Sequence, residues 1–286
     1  MKISEIMKQK EITLSFEVFP PKTWEDFDAV SSATEEIAKL APDFMSVTYG
    51  AGGGTSETSA SIAENVQKKY GVPALAHVTC VSSTRETVKQ YLQILKDKGI
   101  QNILALRGDI PKEGLTVQEY RFASELIRDI KEAGDFSIGA ACYPEGHTES
   151  KSQKEDIRYL KEKADTGCDF LTTQMFFDNN ILYNFLYKIR EADIRVPVVA
   201  GIMPVTNGKQ IARICKMSGT YLPRRFVNIV DRFGDNPAAM KQAGIAYATE
   251  QIIDLIANGV GHIHVYTMNK PDVAAKIQAN LSEILL

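Results

Sequence analysis

The 286-residue chain has no apolar run long enough to cross a bilayer, so no transmembrane helix and no membrane partner are expected. Its first ten residues, Met1 to Lys10, alternate charged and apolar side chains. They lack the apolar stretch and small-residue cleavage site of a secretory signal, so a cytoplasmic location is expected. A basic excess is missing too. The formal net charge is −3, and without clustered Lys and Arg to neutralise phosphates a small-molecule partner is expected and nucleic acid is not. Cysteine is scarce: Cys80, Cys142, Cys168 and Cys215 lie far apart with no C-x-x-C pair. That spacing argues against a zinc knuckle or an iron–sulfur cluster held within this chain, and for reduced thiols. Finally, no Gly-rich phosphate turn follows the first apolar run. Phe19-Pro20-Pro21-Lys22 stands there instead, which disfavours a doubly wound dinucleotide-binding sheet.

What is there is ordinary globular composition, 44% hydrophobic and 24% charged, arranged as a repeated alternation. A short β-rich apolar run, a polar or Gly/Pro turn and a longer amphipathic stretch recur along the whole chain. The runs are Ile12 to Phe19, Phe44 to Gly50, Pro73 to Cys80, Asn102 to Asp109, Ser137 to Pro144, Phe170 to Phe177, Val196 to Pro204 and His262 to Asn269. Parallel strands need crossover helices, and eight such units in a row close into a barrel, so the expected fold is α/β, a (β/α)8 TIM barrel occupying residues 1–286 as a single domain. Ser83 with Glu86, Thr116 with Glu119 and Ser152 with Glu155 have the spacing of capping boxes at helix starts. One stretch is over-long: Val205 to Gly261, between strands 7 and 8, has room for an extra helical segment. There Asn236-Pro237 reads as an N-cap followed by Pro at the first helical position, opening a helix toward Asn258.

In such a barrel chemistry sits at the C-terminal ends of the strands. In the first run Thr13, Ser15 and Glu17 alternate with Ile12, Leu14, Phe16 and Val18, which points Glu17 into the barrel near the upper rim. A carboxylate in that partly dry interior is expected to have a raised pKa and to serve as a general acid; pairing with a barrel Arg or Lys is the structural alternative. Asp109, just beyond Gly108, is a second acidic candidate, its alternatives being a capped strand end or a surface pair with Arg107. Gln174 shares a strand face with Thr172, and an amide at a barrel mouth suits recognition of a heterocycle. His262, His264 and Tyr266 share a face of the last run. No third ligand stands nearby in sequence, so packing and hydrogen bonding are expected of them and no metal site. The Gly50-Ala51-Gly52-Gly53-Gly54-Thr55 loop has neither the Lys of a Walker motif nor dinucleotide spacing. A barrel aldolase or lyase would need a Schiff-base Lys on a strand, and the strand interiors offer none.

Taken in order, Ser15-Phe16-Glu17-Val18-Phe19-Pro20-Pro21-Lys22, Val47-Thr48-Tyr49-Gly50-Ala51, His77-Val78-Thr79-Cys80, Leu106-Arg107-Gly108-Asp109, Tyr143-Pro144-Glu145-Gly146-His147, Thr173-Gln174-Met175-Phe176-Phe177-Asp178 and Val265-Tyr266-Thr267-Met268-Asn269 resemble the methylenetetrahydrofolate reductases over nearly the whole chain. The resemblance implies a flavoprotein oxidoreductase that reduces 5,10-methylenetetrahydrofolate to the 5-methyl form. Hydride passes from NADH or NADPH through FAD in a ping-pong cycle within one site. By the same resemblance Glu17 and Asp109 are catalytic. Glu17 protonates the folate so that its five-membered ring opens to an iminium cation, and Asp109 places negative charge near that cation and the flavin. FAD is held by Thr48, His77, Arg107, Gly108, Asp109, Tyr120, Tyr143, His147, Asp156 and Lys163, and the folate is contacted by Glu17, Gln174, Tyr266 and Lys270. Two departures stand out: residues 51–55 lack the Asn often found there, and Lys270 stands where many members have Arg, whose fork binds a carboxylate bidentately. The resemblance leaves open a homo-oligomer, and as an alternative role a flavin subunit fed by an iron–sulfur partner protein.

Overall fold

The computed structural model describes residues 1–21, 23–49, 56–110 and 114–285, so the glycine-rich loop and Lys22 lie outside the described residues. Eight parallel strands form a closed barrel in sequence order: β1 (Thr13–Val18), β2 (Phe44–Val47), β3 (Ala74–Thr79), β4 (Asn102–Leu106), β5 (Ser137–Cys142), β6 (Phe170–Thr173), β7 (Val198–Ile202) and β8 (His262–Tyr266), with β8 pairing back onto β1. The expected (β/α)8 barrel is therefore the observed one. Each strand nevertheless stops short of its predicted C-terminal end. Residues 107–109 and 174–177, for example, lie past the regular strands, with only single backbone bonds carrying the pairing beyond them, such as Val81 N–H to the Arg107 carbonyl at 2.7 Å and Gln174 N–H to the Cys142 carbonyl at 2.8 Å.

Period-two alternation sorts the strand residues onto two faces. Leu14, Phe16 and Val18 face outward into a continuous core with the surrounding helices. Those helices are α2 (Phe27–Ala38), α3 (Ser56–Tyr70), α4 (Arg85–Asp97), α5 (Ala123–Ala133), α6 (Gln153–Thr166), α7 (Asn179–Glu191), α10 (Pro237–Ala257) and α11 (Pro271–Asn280). Inside the barrel the lower half is apolar: Phe44, Leu75, Leu104, Phe170 and Val199 pack together with Ile3 and Met7. Those last two come from α1 (Ile3–Gln9), a helix that closes the barrel floor and that the sequence did not announce. Its start is tied down from afar: Asn102 Oδ1 accepts from the Ile3 amide at 2.8 Å and Ser137 Oγ from the Ser4 amide at 3.2 Å. Locally only Glu5 helps, accepting from the Lys2 amide at 3.3 Å; the N-cap Lys2 has no side-chain oxygen to mark a helix start in the sequence. Burying the two apolar side chains of α1 stabilises the floor by about 1.5–3 kcal/mol each.

The cap assignments divide. Ser152 Oγ accepts from the Glu155 amide at 3.2 Å, and Glu155 reaches back to the Lys151 amide at 2.8 Å, one residue before the expected one. Thr84, not Ser83, caps α4 by accepting from the Thr87 amide at 3.0 Å. Thr116 and Glu119 open no helix. Glu119 instead accepts from the Arg85 amide at 2.7 Å, holding the segment before α5 against α4, and α5 begins at Ala123. Between β7 and β8 the extra segment is larger than expected: α8 (Gly208–Ser218) and α9 (Arg224–Phe233) precede α10, whose Asn236 cap accepts from the Ala239 amide at 3.1 Å as predicted. The α8–α9 pair packs over Met175 and Phe177, with Phe226 of α9 stacked on Phe177 at 5.0 Å. Among the described residues no helix is long and apolar enough to cross a membrane.

Candidate active site at the barrel rim

The upper half of the barrel interior is polar, and register explains which groups meet there. Glu17 on β1 stands opposite Ser46 on β2 and Tyr266 on β8, while Ser15 stands opposite His264. Ser15 Oγ donates to the Ile263 carbonyl at 2.9 Å, so its oxygen is left to accept from His264 Nδ1 at 2.8 Å. The proton on the neutral ring is thereby assigned to Nδ1, and Nε2 can accept from Ser46 Oγ at 3.0 Å. Ser46 Oγ also lies 3.2 Å from Glu17 Oε2. When the ring is protonated, Nε2–H donates to Ser46 and frees the Ser46 hydroxyl to donate to Glu17. His264 is thus bonded on both nitrogens, as expected of a packing and hydrogen-bonding histidine, and His262 Nδ1 lies 3.1 Å from Thr13 Oγ1.

The expected pKa of Glu17 is corrected here. Burial alone would raise it, but the His264 hydrogen bond, the charges of His77 and His264 and the Ser46 hydroxyl outweigh burial and hold the carboxyl below its ordinary value. The sequence argument saw only the dry interior, because the histidines come from β3 and β8. Among the described residues no barrel Arg or Lys pairs with it; its titratable neighbours are His77 Nε2 at 3.5 Å and His264 Nε2 at 3.7 Å.

His77 is pushed down to about 4 by burial, against the pull of Glu17. A histidine whose folded pKa is depressed contributes stability that is present above the unfolded value, about 6.5, and is lost as pH falls toward the folded one. Urea melts should therefore show stability falling between pH 6.5 and 4, by roughly 3 kcal/mol at most from this group. His77→Asn should flatten that slope, and an unchanged slope would show that His77 does not titrate in this window.

Two inward-facing polar atoms, His77 Nε2 and Thr172 Oγ1, are buried without a hydrogen-bond partner among the described residues. Unpaired buried polar groups are rare in proteins, and inside a barrel mouth they are suited to a ligand. At the rim Gln174 Oε1 accepts from the Met175 amide at 3.0 Å, leaving its NH2 without a partner among the described residues. Tyr266 donates to the Thr173 carbonyl at 2.6 Å, and burial drives its hydroxyl far above the usual tyrosine range. Lys270 Nζ lies 2.5 Å from Thr206 Oγ1, and burial with repulsion from Lys241 lowers its pKa. The turn that delivers Lys270 has two consecutive left-handed residues, Met268 and Asn269, at φ of 55° and 53°. Asn tolerates that conformation, and here its amide brackets the Phe19 backbone, accepting from its N–H at 3.0 Å and donating to its carbonyl at 2.9 Å.

Beside this interior, loops after β3, β4 and β5 and the start of α6 enclose a cavity of about 1020 Å³, at the upper end for small-molecule sites. Arg107, Gly108, Asp109, Tyr143, His147, Asp156 and Lys163 all line it. His147 stands edge-on to Tyr143 at 4.6 Å, and its Nδ1 accepts from the Glu149 amide at 3.1 Å, so Nε2 carries the proton and is a donor for a ligand. Asp156 and Lys163 belong to the cavity wall and not to a solvated helix face. Asp156 is buried and raised by burial; Lys163 is lowered by burial and bonds the Ala141 carbonyl at 2.5 Å. The surface pair of Arg107 with Asp109 does not form. Arg107 forks onto Glu149 at 2.6 and 2.6 Å, and Asp109 is exposed. Gly108 is required by the protein itself: φ is 88°, and a Cβ there would lie 2.7 Å from Val81.

Three expected cofactor residues fall outside the lining. Thr48 and His77 belong to the β2 and β3 side of the barrel, and Tyr120 is buried behind the wall. The Tyr120 hydroxyl donates to Asp129 at 2.6 Å while Arg85 lies over its ring at 4.7 Å. Ser46, Glu149 and Thr206 went unnoticed in the sequence. Period two places Ser46 on the inward face, but only strand register sets it against Glu17.

Comparison with known proteins agrees with this geometry. The family model described as methylenetetrahydrofolate reductase matches residues 2–282. The chain is 35% identical over 269 residues to the 5,10-methylenetetrahydrofolate reductase of Pectobacterium carotovorum subsp. carotovorum, covering 94% of this chain and 90% of that protein. It is 34% identical to methylenetetrahydrofolate reductase (NADH) 1 of Arabidopsis thaliana, covering 99% of this chain and half of the plant protein. Among solved structures, a Clostridium thermocellum protein described as binding two copies of 5-methyl-5,6,7,8-tetrahydrofolic acid superposes with a TM-score of 0.66 at 15% identity, covering 99% of both chains, which is a likeness of fold. With its closed barrel, its inward carboxylate and these whole-length matches, the chain belongs to the methylenetetrahydrofolate reductase family of oxidoreductases.

Proposed function

We propose that the barrel binds FAD in the 1020 Å³ cavity and reduces 5,10-methylenetetrahydrofolate with electrons from NADH, donor and folate using one site in turn. The observation that carries this reading is the pairing, on one rim, of a large cavity walled by charged and hydrogen-bonding groups of both signs with an inward carboxylate bonded to Ser46. The cavity residues fit the cofactor's chemistry. Lys163, Arg107 and the His147 Nε2–H offer donors to phosphate and ribityl oxygens, and the orphaned His77 Nε2 and Thr172 Oγ1 lie deeper in the barrel. NADH is favoured because plant relatives carry it in their names.

When bound, FAD supplies the hydride carrier between nicotinamide and folate. The chain's own groups do the rest. Glu17 delivers a proton to the folate nitrogen released as the methylene bridge opens. Its carboxyl is held low in the open site, and its side chain keeps 19% exposure. Folate seated over it removes that water, which favours the protonated form. Ser46, itself held by His264, keeps the carboxylate in position. Asp109 sets negative charge beside the cationic iminium, Gln174 presents its free NH2 to the pterin, and Tyr266 and Lys270 border the rest of the substrate.

The test is one anaerobic cuvette. The purified protein should show a flavin absorption band that NADH bleaches and that methylenetetrahydrofolate restores. A protein that takes up no FAD would overturn the cofactor assignment, and a bound flavin that NADH leaves unbleached would overturn the donor.

A further inference from the structure

Three of the five N–H donors of Arg107 are engaged within the protein. Nε donates to the Gly108 carbonyl at 3.2 Å, and Nη1 and Nη2 donate to the two oxygens of Glu149 at 2.6 and 2.6 Å. Both residues line the cavity. A guanidinium fork of this kind matches a carboxylate and a phosphate equally well, so an anionic ligand entering here meets an Arg that already holds an anion.

The two partners differ in how easily they can let go. Arg107 is 24% exposed and braced by the Gly108 carbonyl, while Glu149 is 51% exposed and returns to water at little cost. The Glu149 backbone is held by its N–H bond to His147 Nδ1 at 3.1 Å, so the side chain can swing while the loop keeps its course. Carboxylates also outnumber cations along the described cavity lining, where Arg107, Lys151 and Lys163 are the cationic side chains. With Glu149 on Arg107, the cavity presents a poor field to a dinucleotide that carries two phosphates.

We propose that Glu149 is an internal stand-in for the cofactor's diphosphate: it holds the Arg107 fork in place and yields it when FAD enters, so that this exchange sets how tightly the flavin is held. The inference rests on the FAD reading and adds to it a residue that tunes cofactor retention.

The experiment titrates FAD and riboflavin, which lacks the diphosphate, into flavin-free protein and follows flavin fluorescence, with the FAD release rate measured alongside. Glu149→Gln should bind FAD about three- to tenfold more tightly and release it more slowly, with riboflavin affinity unchanged. In an Arg107→Ala background the same substitution should have no effect on FAD. Weaker FAD binding by Glu149→Gln would make Glu149 a support for Arg107 and overturn the proposal, as would an equal change in the Arg107→Ala background. Absence of FAD binding by wild type and variants alike would overturn the cofactor reading, and the proposal with it.

Discussion

Glu17→Gln is expected to slow the folate half-reaction by about 10²–10⁴-fold while leaving flavin binding and its bleaching by NADH intact. Gln is nearly isosteric and still accepts from Ser46, so the 3.2 Å contact and the register with β2 survive. What it lacks is a proton to give. The two half-reactions separate in stopped-flow absorbance, the first as loss of the flavin band and the second as its return. In the wild type the return should slow as pH rises through the carboxyl's pKa in the folate complex, and in the variant that dependence should vanish. A variant that reoxidises with methylenetetrahydrofolate at the normal rate would remove Glu17 as the acid and leave it as a structural partner of His77 and His264.

Gly201→Ala should be damaging for a reason visible only in three dimensions. A Cβ at this β7 position would lie 2.4 Å from the Thr173 carbonyl oxygen and 2.5 Å from the Tyr266 hydroxyl, the two partners of a 2.6 Å hydrogen bond. The Thr173 carbonyl cannot retreat easily, because Thr173 is tied to β7 through the Gly201 amide, which donates to Thr173 Oγ1 at 2.8 Å. Overpacking of this sort costs about 1–3 kcal/mol, which for a chain of this size corresponds to roughly 2–10 °C in Tm. Tyr266 must tilt into the mouth, so folate affinity should fall. FAD affinity should hold, since its cavity is built from the loops after β3, β4 and β5. Urea melts and ligand titrations measure both, and a variant with wild-type stability and folate affinity would contradict the close packing of β6, β7 and β8.

The order of elements was legible because periodicity is local. Alternation of apolar and polar residues marks a strand wherever it sits, and eight strand–helix units in a row admit few closed arrangements. For the same reason Glu17, Asp109 and Gln174 could be named in advance from their places at or just past strand ends, where a barrel puts its chemistry, while Arg107, His147 and Lys270 were named only through the family resemblance. The sequence by itself thus determined the barrel, its direction and which polar side chains reach its mouth. Helix α1 escaped, because its Ile3 and Ser4 amides are held by Asn102 and Ser137, about a hundred residues or more away in sequence. The direction of the Glu17 pKa, the loss of Tyr120 from the cavity and the capture of Arg107 by Glu149 were decided only in the tertiary structure. Each depends on which groups from other strands and loops stand within a few ångströms, and charge and hydrogen bonding act over that distance whatever the separation along the chain.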